Sequence, residues 1–445
     1  MTLRISKLRL LNYSVPILAI EFVIYPVLAI LPSFYANFSG GELTAFATAI
    51  FISRLVYSCS GPVVGYLSDR FTTPWGRRKP WMIAGTIVEV ISVYLLFIPP
   101  VHAGPTYFAW TAGLALFGFS MIDVPYIAWG SEITRDYAGR SLIASYRAVF
   151  AVLGQAVFLA LPLLPAFGAK NLLEAPTIAR LGLVAIVLLV VTMSVALLWG
   201  PQSQAEETRP AEAGVLRLFV DMARNVPMVY LTGATVFGFL AYCVQLTIGL
   251  QFMASLGYAS TFAPLTLAAL LVSIVTIPAW ELVTKRIGKH KCWALGLVVS
   301  FIGLPAYFVV APLFGTFAAV VVSTIVVAFP VAYMLTSLPY SIMGDVIDYD
   351  ELKTGSNRSA NYSAVLLLAI RLQVAIGGAI AFWILGAMRF KLHEVNSHAL
   401  QPAMIVAYFI VPGIFTLFSL ACIWPFPIDA RRAAIVRRRL ERGKA

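Results

Sequence analysis

Apolar runs of about twenty or more residues recur along this chain, and no other feature restricts its possible folds so severely. Twelve can be counted, at roughly 13–36, 43–67, 81–100, 105–132, 141–167, 177–200, 227–252, 261–284, 292–311, 315–343, 359–387 and 400–426. A bilayer hydrocarbon core about 30 Å thick takes about 20 helical residues to cross. Only a helix or a closed barrel satisfies its own backbone hydrogen bonds there. The composition agrees, with 60% of residues hydrophobic and 12% charged, where an average soluble domain is about 25% charged. We therefore expect an all-α membrane protein with twelve transmembrane helices. The run after "MTLRISKLRLLNY" lacks a small-residue cleavage site at its end, so it is expected to remain as the first helix.

The net charge of +12 would suggest a nucleic-acid partner if it covered a soluble surface. It is instead sided. An even number of spans puts both termini on one side, together with the connections after spans 2, 4, 6, 8 and 10. These segments hold 25 of the 32 Lys and Arg, the opposite set holds Lys170, Arg180, Arg389 and Lys391, and three lie within spans. The positive-inside rule then places both termini in the cytoplasm. No nucleic-acid partner is expected. The closing "RRAAIVRRRLERGK" orients the chain and also suits anionic headgroups, at about 1 kcal/mol per cation. Cys59, Cys243, Cys292 and Cys422 sit far apart in apolar runs, which indicates neither a disulfide framework nor a metal site.

The two halves echo each other. "GYLSDRFTTPWGRRKPWMIAG" follows span 2, and "WELVTKRIGKHKCWALG" follows span 8, six spans later. The expected organisation is a six-helix bundle over 1–200, a cytoplasmic linker over 201–226, a second six-helix bundle over 227–427 and a basic tail over 428–445. Two pseudo-symmetric repeats of this kind are a transporter plan, with cargo bound near the bilayer midplane. The linker's "AGVLRLFVDMARN" has the pattern of a short helix lying on the membrane surface.

The loop at 68–81 sets Asp69, Arg70, Arg77, Arg78 and Lys79 at or near helix ends. Asp69 can accept charge-assisted hydrogen bonds from nearby cations or cap a helix start. Such contacts can hold one arrangement of helices and release another, although any short cytoplasmic loop is also expected to be basic. The ordered "SDRFTTPWGRRKPW" resembles the helix 2–3 signature of the glycoside–pentoside–hexuronide cation symporters, within the major facilitator superfamily. It is also similar to the loop of plant sucrose–proton symporters. "FSMIDVPYIAWGSEIT" (119–134) resembles the family's span 4, and "MGDVIDYDELKTGSNRSANYS" (343–363) its span 10–11 connection. "WPFPIDARRAAIVRRRLERG" (424–443) resembles its closing segment. The matches run in order over the whole chain and imply the two-bundle fold.

The candidates for a working charge inside the spans are Glu21, Arg54, Glu89, Asp123, Arg147 and Arg371. Each costs about 2.5–3.5 kcal/mol on insertion scales, so each requires a reason. Static pairing inside the bundle is one. The resemblance implies another: Asp123 stands where the family has a sugar-binding carboxylate, Arg147 matches a second sugar-site position, and Glu21 falls at an acidic sugar-site position. Arg371 takes the place of a family lysine. Carboxylates suit sugars because each oxygen accepts hydroxyl hydrogen bonds. Ser120, Tyr25, Tyr126 and Trp129 complete the candidate substrate site, the aromatics as platforms for an apolar sugar face. Ile127 replaces the tryptophan that often follows the family's span-4 motif.

One departure bears on coupling. Sodium-using members carry two aspartates four apart on span 2, where this chain has Tyr57 and Gly61. A titratable carboxylate is expected instead, so proton symport is read for Asp123, with Glu21 as second choice. The acids of "DVIDYDE" (345–351), with Asp345 and Asp348 facing basic groups such as Arg358, are expected to form a cytoplasmic gate with the basic loops. An Asp-rich run can also hold magnesium diphosphate, but no second such motif is present, so no enzyme, metal or cofactor is read. No GxxxxGK[ST] occurs, so ATP is not the energy source. The expected protein is a monomeric inner-membrane importer of a sugar or glycoside, driven by protons. An acidic sugar (a uronide or a sulfonated one), a lipid-like or aromatic solute, uniport, a membrane enzyme and a non-transporting sensor are the alternatives.

Overall fold

The computed structural model describes residues 7–39, 43–71, 73–133, 137–168, 172–201, 224–355, 359–388, 390 and 401–444. These residues are helical apart from turns and one isolated bridge between Thr73 and Gly76. Among them, ten helices are long and apolar enough to cross a membrane, or eleven if one bent pair is counted as a single span. Two compact units emerge, Met1–Ala211 with Gly378–Asn396, and Glu212–Gly377 with Ser397–Ala445.

In the first unit the opening apolar run is broken twice. Helices α1 (Lys7–Ser14), α2 (Pro16–Ala29) and α3 (Leu31–Ser39) are separated at Val15 and Ile30. Pro16 and Pro32 each follow a break, where a residue without an N–H starts a helix but cannot continue one. Then come α4 (Leu43–Arg70), α5 (Lys79–Phe97), α6 (Pro105–Ile133), α7 (Tyr137–Ala160) and α8 (Ala175–Trp199). Helix α6 packs on α4 and α5, while α2 packs on α7 and α8. The outer face of α8 leaves Leu183, Val187, Val190, Val191 and Leu198 exposed, with Val187 at 61%. A helix stripe this apolar is solvated by lipid rather than water.

The second unit holds α9 (Val226–Ser255), α10 (Phe262–Val275), α11 (Ile277–Ile287), α12 (Lys289–Thr336), α13 (Leu338–Thr354), α14 (Ser359–Ala387), α15 (Gln401–Ile405), α16 (Val411–Ile423) and α17 (Ala430–Lys444). The last turns of α14 belong to the first unit. Helices α10 and α11 meet at a 42° bend. The 48 residues of α12 are interrupted at Gly315, whose φ of 87° and ψ of 164° an L side chain rarely adopts. Trp280, Trp293, Met334, Ile342, Met343 and Phe426 form the unit's core. Asp429 caps α17 by accepting from Arg432 N at 2.7 Å. That backbone hydrogen bond holds its carboxyl below the usual range, so the cap is ionised at neutral pH.

Candidate functional site

Helices α2, α6 and α7 of the first unit bring together two carboxylates, one guanidinium and one amide. Gln155 Nε2 donates to Glu21 Oε2 at 2.9 Å. Arg147 Nη2 stands 3.8 Å from Asp123 Oδ1, and the two pairs meet α7 at Arg147 and Gln155, about two helical turns apart. The sequence prepares this meeting locally. Pro125 lies inside α6 and donates no hydrogen bond to the Met121 carbonyl, which loosens the helix beside Asp123. On α7, Gly154 admits α2 closely: a Cβ there would lie 3.0 Å from Glu21 Cβ and against the Leu18 carbonyl. Overpacking of this kind costs about 1–3 kcal/mol. Gly154→Val should therefore push α2 off α7, part Glu21 from Gln155 and lower both melting temperature and uptake; unchanged uptake would count against a working role for the Glu21–Gln155 contact.

Chemically, the cluster offers acceptors on Glu21 and Asp123 and donors on Arg147 and Gln155, which complements a solute carrying several hydroxyls. Gln155 was not expected from the sequence. Its signal is a single amide in the apolar "AVFAVLGQAVFLA", two helical turns beyond Arg147.

The remaining candidates are placed as follows. Tyr25 on α2 is 7% exposed, with its ring edge toward Phe158. Tyr126 has no exposed surface: the Tyr13 ring stacks on it at 4.6 Å, and the Arg147 guanidinium lies over it at 4.8 Å. Trp129 is buried and donates from Nε1 to Pro201 O at 3.1 Å. Ser120 is buried, accepting from Ser60 Oγ at 2.6 Å and donating to Leu116 O at 3.0 Å. In this conformation Tyr126, Trp129 and Ser120 are therefore engaged in helix packing, and neither aromatic presents a free face to a sugar. Arg371 is buried on α14, in the second unit. Arg54 donates to Leu28 O at 2.5 Å, and Glu89 is buried on α5. Tyr57, at one of the two positions read for sodium ligands, packs its ring against Phe119 at 5.6 Å. Among the described residues no three His, Cys, Asp or Glu side chains group to hold a metal ion.

For the gating candidates, Arg78 Nη1 donates to Ser68 Oγ at 3.3 Å and Arg70 lies over the Tyr66 ring at 4.4 Å. Arg77 is half-buried in the turn that follows. In the second unit Lys289 Nζ pairs with Asp345 Oδ2 at 2.6 Å and donates to Ser341 O at 2.9 Å. Asp348 is half-buried on α13. The Asp69 side chain and Arg358 lie outside the described residues.

Apolar helices enclosing charges that match hydroxyl groups define a polytopic membrane protein of transport type. Comparison with known proteins agrees. The family model described as MFS/sugar transport protein matches residues 12–430. The inner membrane symporter YicJ of Escherichia coli is 24% identical over 402 residues, 87% of this chain and 84% of YicJ. The isoprimeverose transporter of Lactiplantibacillus pentosus is 23% identical over 429 residues, 93% of this chain and 87% of the transporter. The nucleoside transporter NupG shares the fold, with a TM-score of 0.68 at 11% identity, covering 95% of this chain and all 100% of NupG's. The chain belongs to the glycoside–pentoside–hexuronide cation symporter family of the major facilitator superfamily. It is thus a multi-pass integral membrane transporter and not an enzyme.

Proposed function

We propose that this protein imports a sugar or glycoside together with a proton, by alternating access between two six-helix halves over 1–200 and 227–427. The observation that carries the reading is the cluster of Glu21–Gln155 with Asp123–Arg147 inside membrane-spanning helices. Charges this costly in hydrocarbon are retained where something polar must pass. Relatives named as an isoprimeverose transporter and a glycoside/cation symporter support the cargo class. Counting the bent α10–α11 pair once and dividing α12 at Gly315 supports twelve spans, and the sided Lys and Arg support cytoplasmic termini. The Lys289–Asp345 contact suits a gating role at the cytoplasmic end of the second unit, with Asp348 and Arg358, and Asp69, Arg70, Arg77 and Arg78 suit one at that end of the first.

The partners of the two carboxylates support a division of labour. A proton arriving at Asp123 competes with a guanidinium, whereas one arriving at Glu21 meets an amide, which can hydrogen-bond either form of the carboxyl. Glu21 then carries the coupling proton, and the Asp123–Arg147 pair opens to receive hydroxyl groups. This reverses the order suggested by the family resemblance. Tyr57 in place of a span-2 carboxylate supports protons over sodium. Half-buried Arg147 and buried Arg371 favour a second reading, in which the cargo is an acidic sugar.

The test is uptake into proteoliposomes of isoprimeverose, melibiose and a methyl glucuronide, with pH and sodium gradients imposed separately. Accumulation of at least one sugar should follow the pH gradient. Accumulation that follows sodium alone would overturn the coupling, and no uptake of any glycoside would overturn the cargo class.

A further inference from the structure

We propose that Tyr13 is a positioning residue for Arg147, acting through Tyr126, so that a residue at the end of α1 sets the guanidinium that faces Asp123. This deepens the transport reading and rests on it for its meaning. The contacts form a chain within the first unit. Tyr13 Oη donates to Tyr126 O at 2.9 Å, and Tyr126 Oη donates back to Tyr13 O at 2.6 Å. The two rings stack with centroids 4.6 Å apart and planes 14° from parallel. Trp129 sets its edge on Tyr13 at 5.1 Å and is itself tied to Pro201 O. Neither tyrosine has exposed surface. Each ring is therefore fixed in position and in rotation, and Tyr126 carries the Arg147 guanidinium over its face.

The geometry makes this ring, more than the carboxylate, the seat of the cation. Arg147 Nη2 lies 3.8 Å from Asp123 Oδ1, near the outer limit of an ion pair. Its Nε is buried without a hydrogen-bond partner among the described residues. A long, flexible side chain held at that distance would sample several rotamers, whereas a guanidinium over an aromatic face stays put. Seated this way, Arg147 can turn its Nη atoms from Asp123 toward a sugar hydroxyl without leaving the ring. Tyr13 lies two residues before the Val15 break between α1 and α2, so a swing of α1 is transmitted to the guanidinium. Tyr126, read from the sequence as a sugar platform, then works from behind the site.

Two measurements test this, one of them independent of any cargo. Purified protein is treated with phenylglyoxal, and adduct formation is followed by peptide mass spectrometry at Arg147, with buried Arg54 as internal reference. Tyr13→Leu should speed modification of Arg147 about fivefold or more while leaving Arg54 at the wild-type rate, as expected when a cation loses its aromatic seat. Tyr13→Phe retains the ring and should stay near wild type. With isoprimeverose as transported probe, Tyr13→Leu should raise KM about tenfold with Vmax little changed, the pattern of lost binding rather than lost protein. An unchanged Arg147 rate in Tyr13→Leu overturns the proposal, and so does an equal acceleration at Arg54, which would mean a loosened fold. Absence of isoprimeverose uptake in the wild type counts against the cargo reading and leaves the Arg147 result to decide this one.

Discussion

Protein carrying Glu21→Gln should exchange labelled sugar for unlabelled sugar across a membrane at close to the wild-type rate, yet fail to concentrate it. The substitution is nearly isosteric, and Gln155 can still hydrogen-bond the new amide, so the contact that seats α2 against α7 survives. Only the ability to take up and release a proton is lost. One pH unit corresponds to about 1.36 kcal/mol, so a one-proton symporter can concentrate its cargo about tenfold per unit of gradient. That whole gain should vanish in Glu21→Gln while counterflow persists. Retained uphill uptake would move the coupling proton to Asp123, and loss of counterflow along with accumulation would make Glu21 a sugar contact instead.

The second large effect is expected at Asp123 and Arg147. Removing one member of a fully buried ion pair costs about 3–5 kcal/mol because the other charge stays desolvated; at 3.8 Å and with Arg147 only half-buried, the cost here should fall below that range. Hydrogen bonds from sugar to a charged group are worth about 1.5–3 kcal/mol each, so losing one or two should lower uptake about a hundredfold. Asp123→Asn and Arg147→Leu should each show this loss together with a lower melting temperature. The double variant Asp123→Asn/Arg147→Gln should recover much of the stability, since no lone charge remains, and none of the transport. Recovery of transport along with stability would show the pair to be a structural brace. Thermal unfolding and uptake measured on the same preparations distinguish these outcomes.

Much of the scaffold could be read from the sequence because hydrocarbon imposes one demand on every span: about twenty apolar residues in a helix. What could not be read are the interruptions. The breaks at Val15 and Ile30 and the bend between α10 and α11 lie within runs that are apolar throughout, so the hydrophobic signal does not mark them, whereas the interruption at Gly315 falls where one apolar run gives way to the next. The site was legible as far as its charges, since a carboxylate or guanidinium in an apolar run is conspicuous by its cost. Which charge meets which partner was not. Gln155 is neutral and carries a weaker signal, although it is the partner of Glu21. Tyr126 is one aromatic among many in a chain that is 13% aromatic, and only its contacts with Tyr13 and Arg147 reveal which surfaces of the ring are taken. Lys289 and Asp345 lie 56 residues apart in sequence, and nothing local pairs them.

The most direct test of the whole account is the movement of protons with sugar. Lightly buffered proteoliposomes, equilibrated without any gradient, are given isoprimeverose or whichever glycoside of the panel they take up, and external pH is recorded. The account predicts alkalinisation of the medium that begins with sugar addition, disappears in Glu21→Gln and does not depend on sodium. Sugar entry with no accompanying change in pH, or entry that requires sodium, would contradict it.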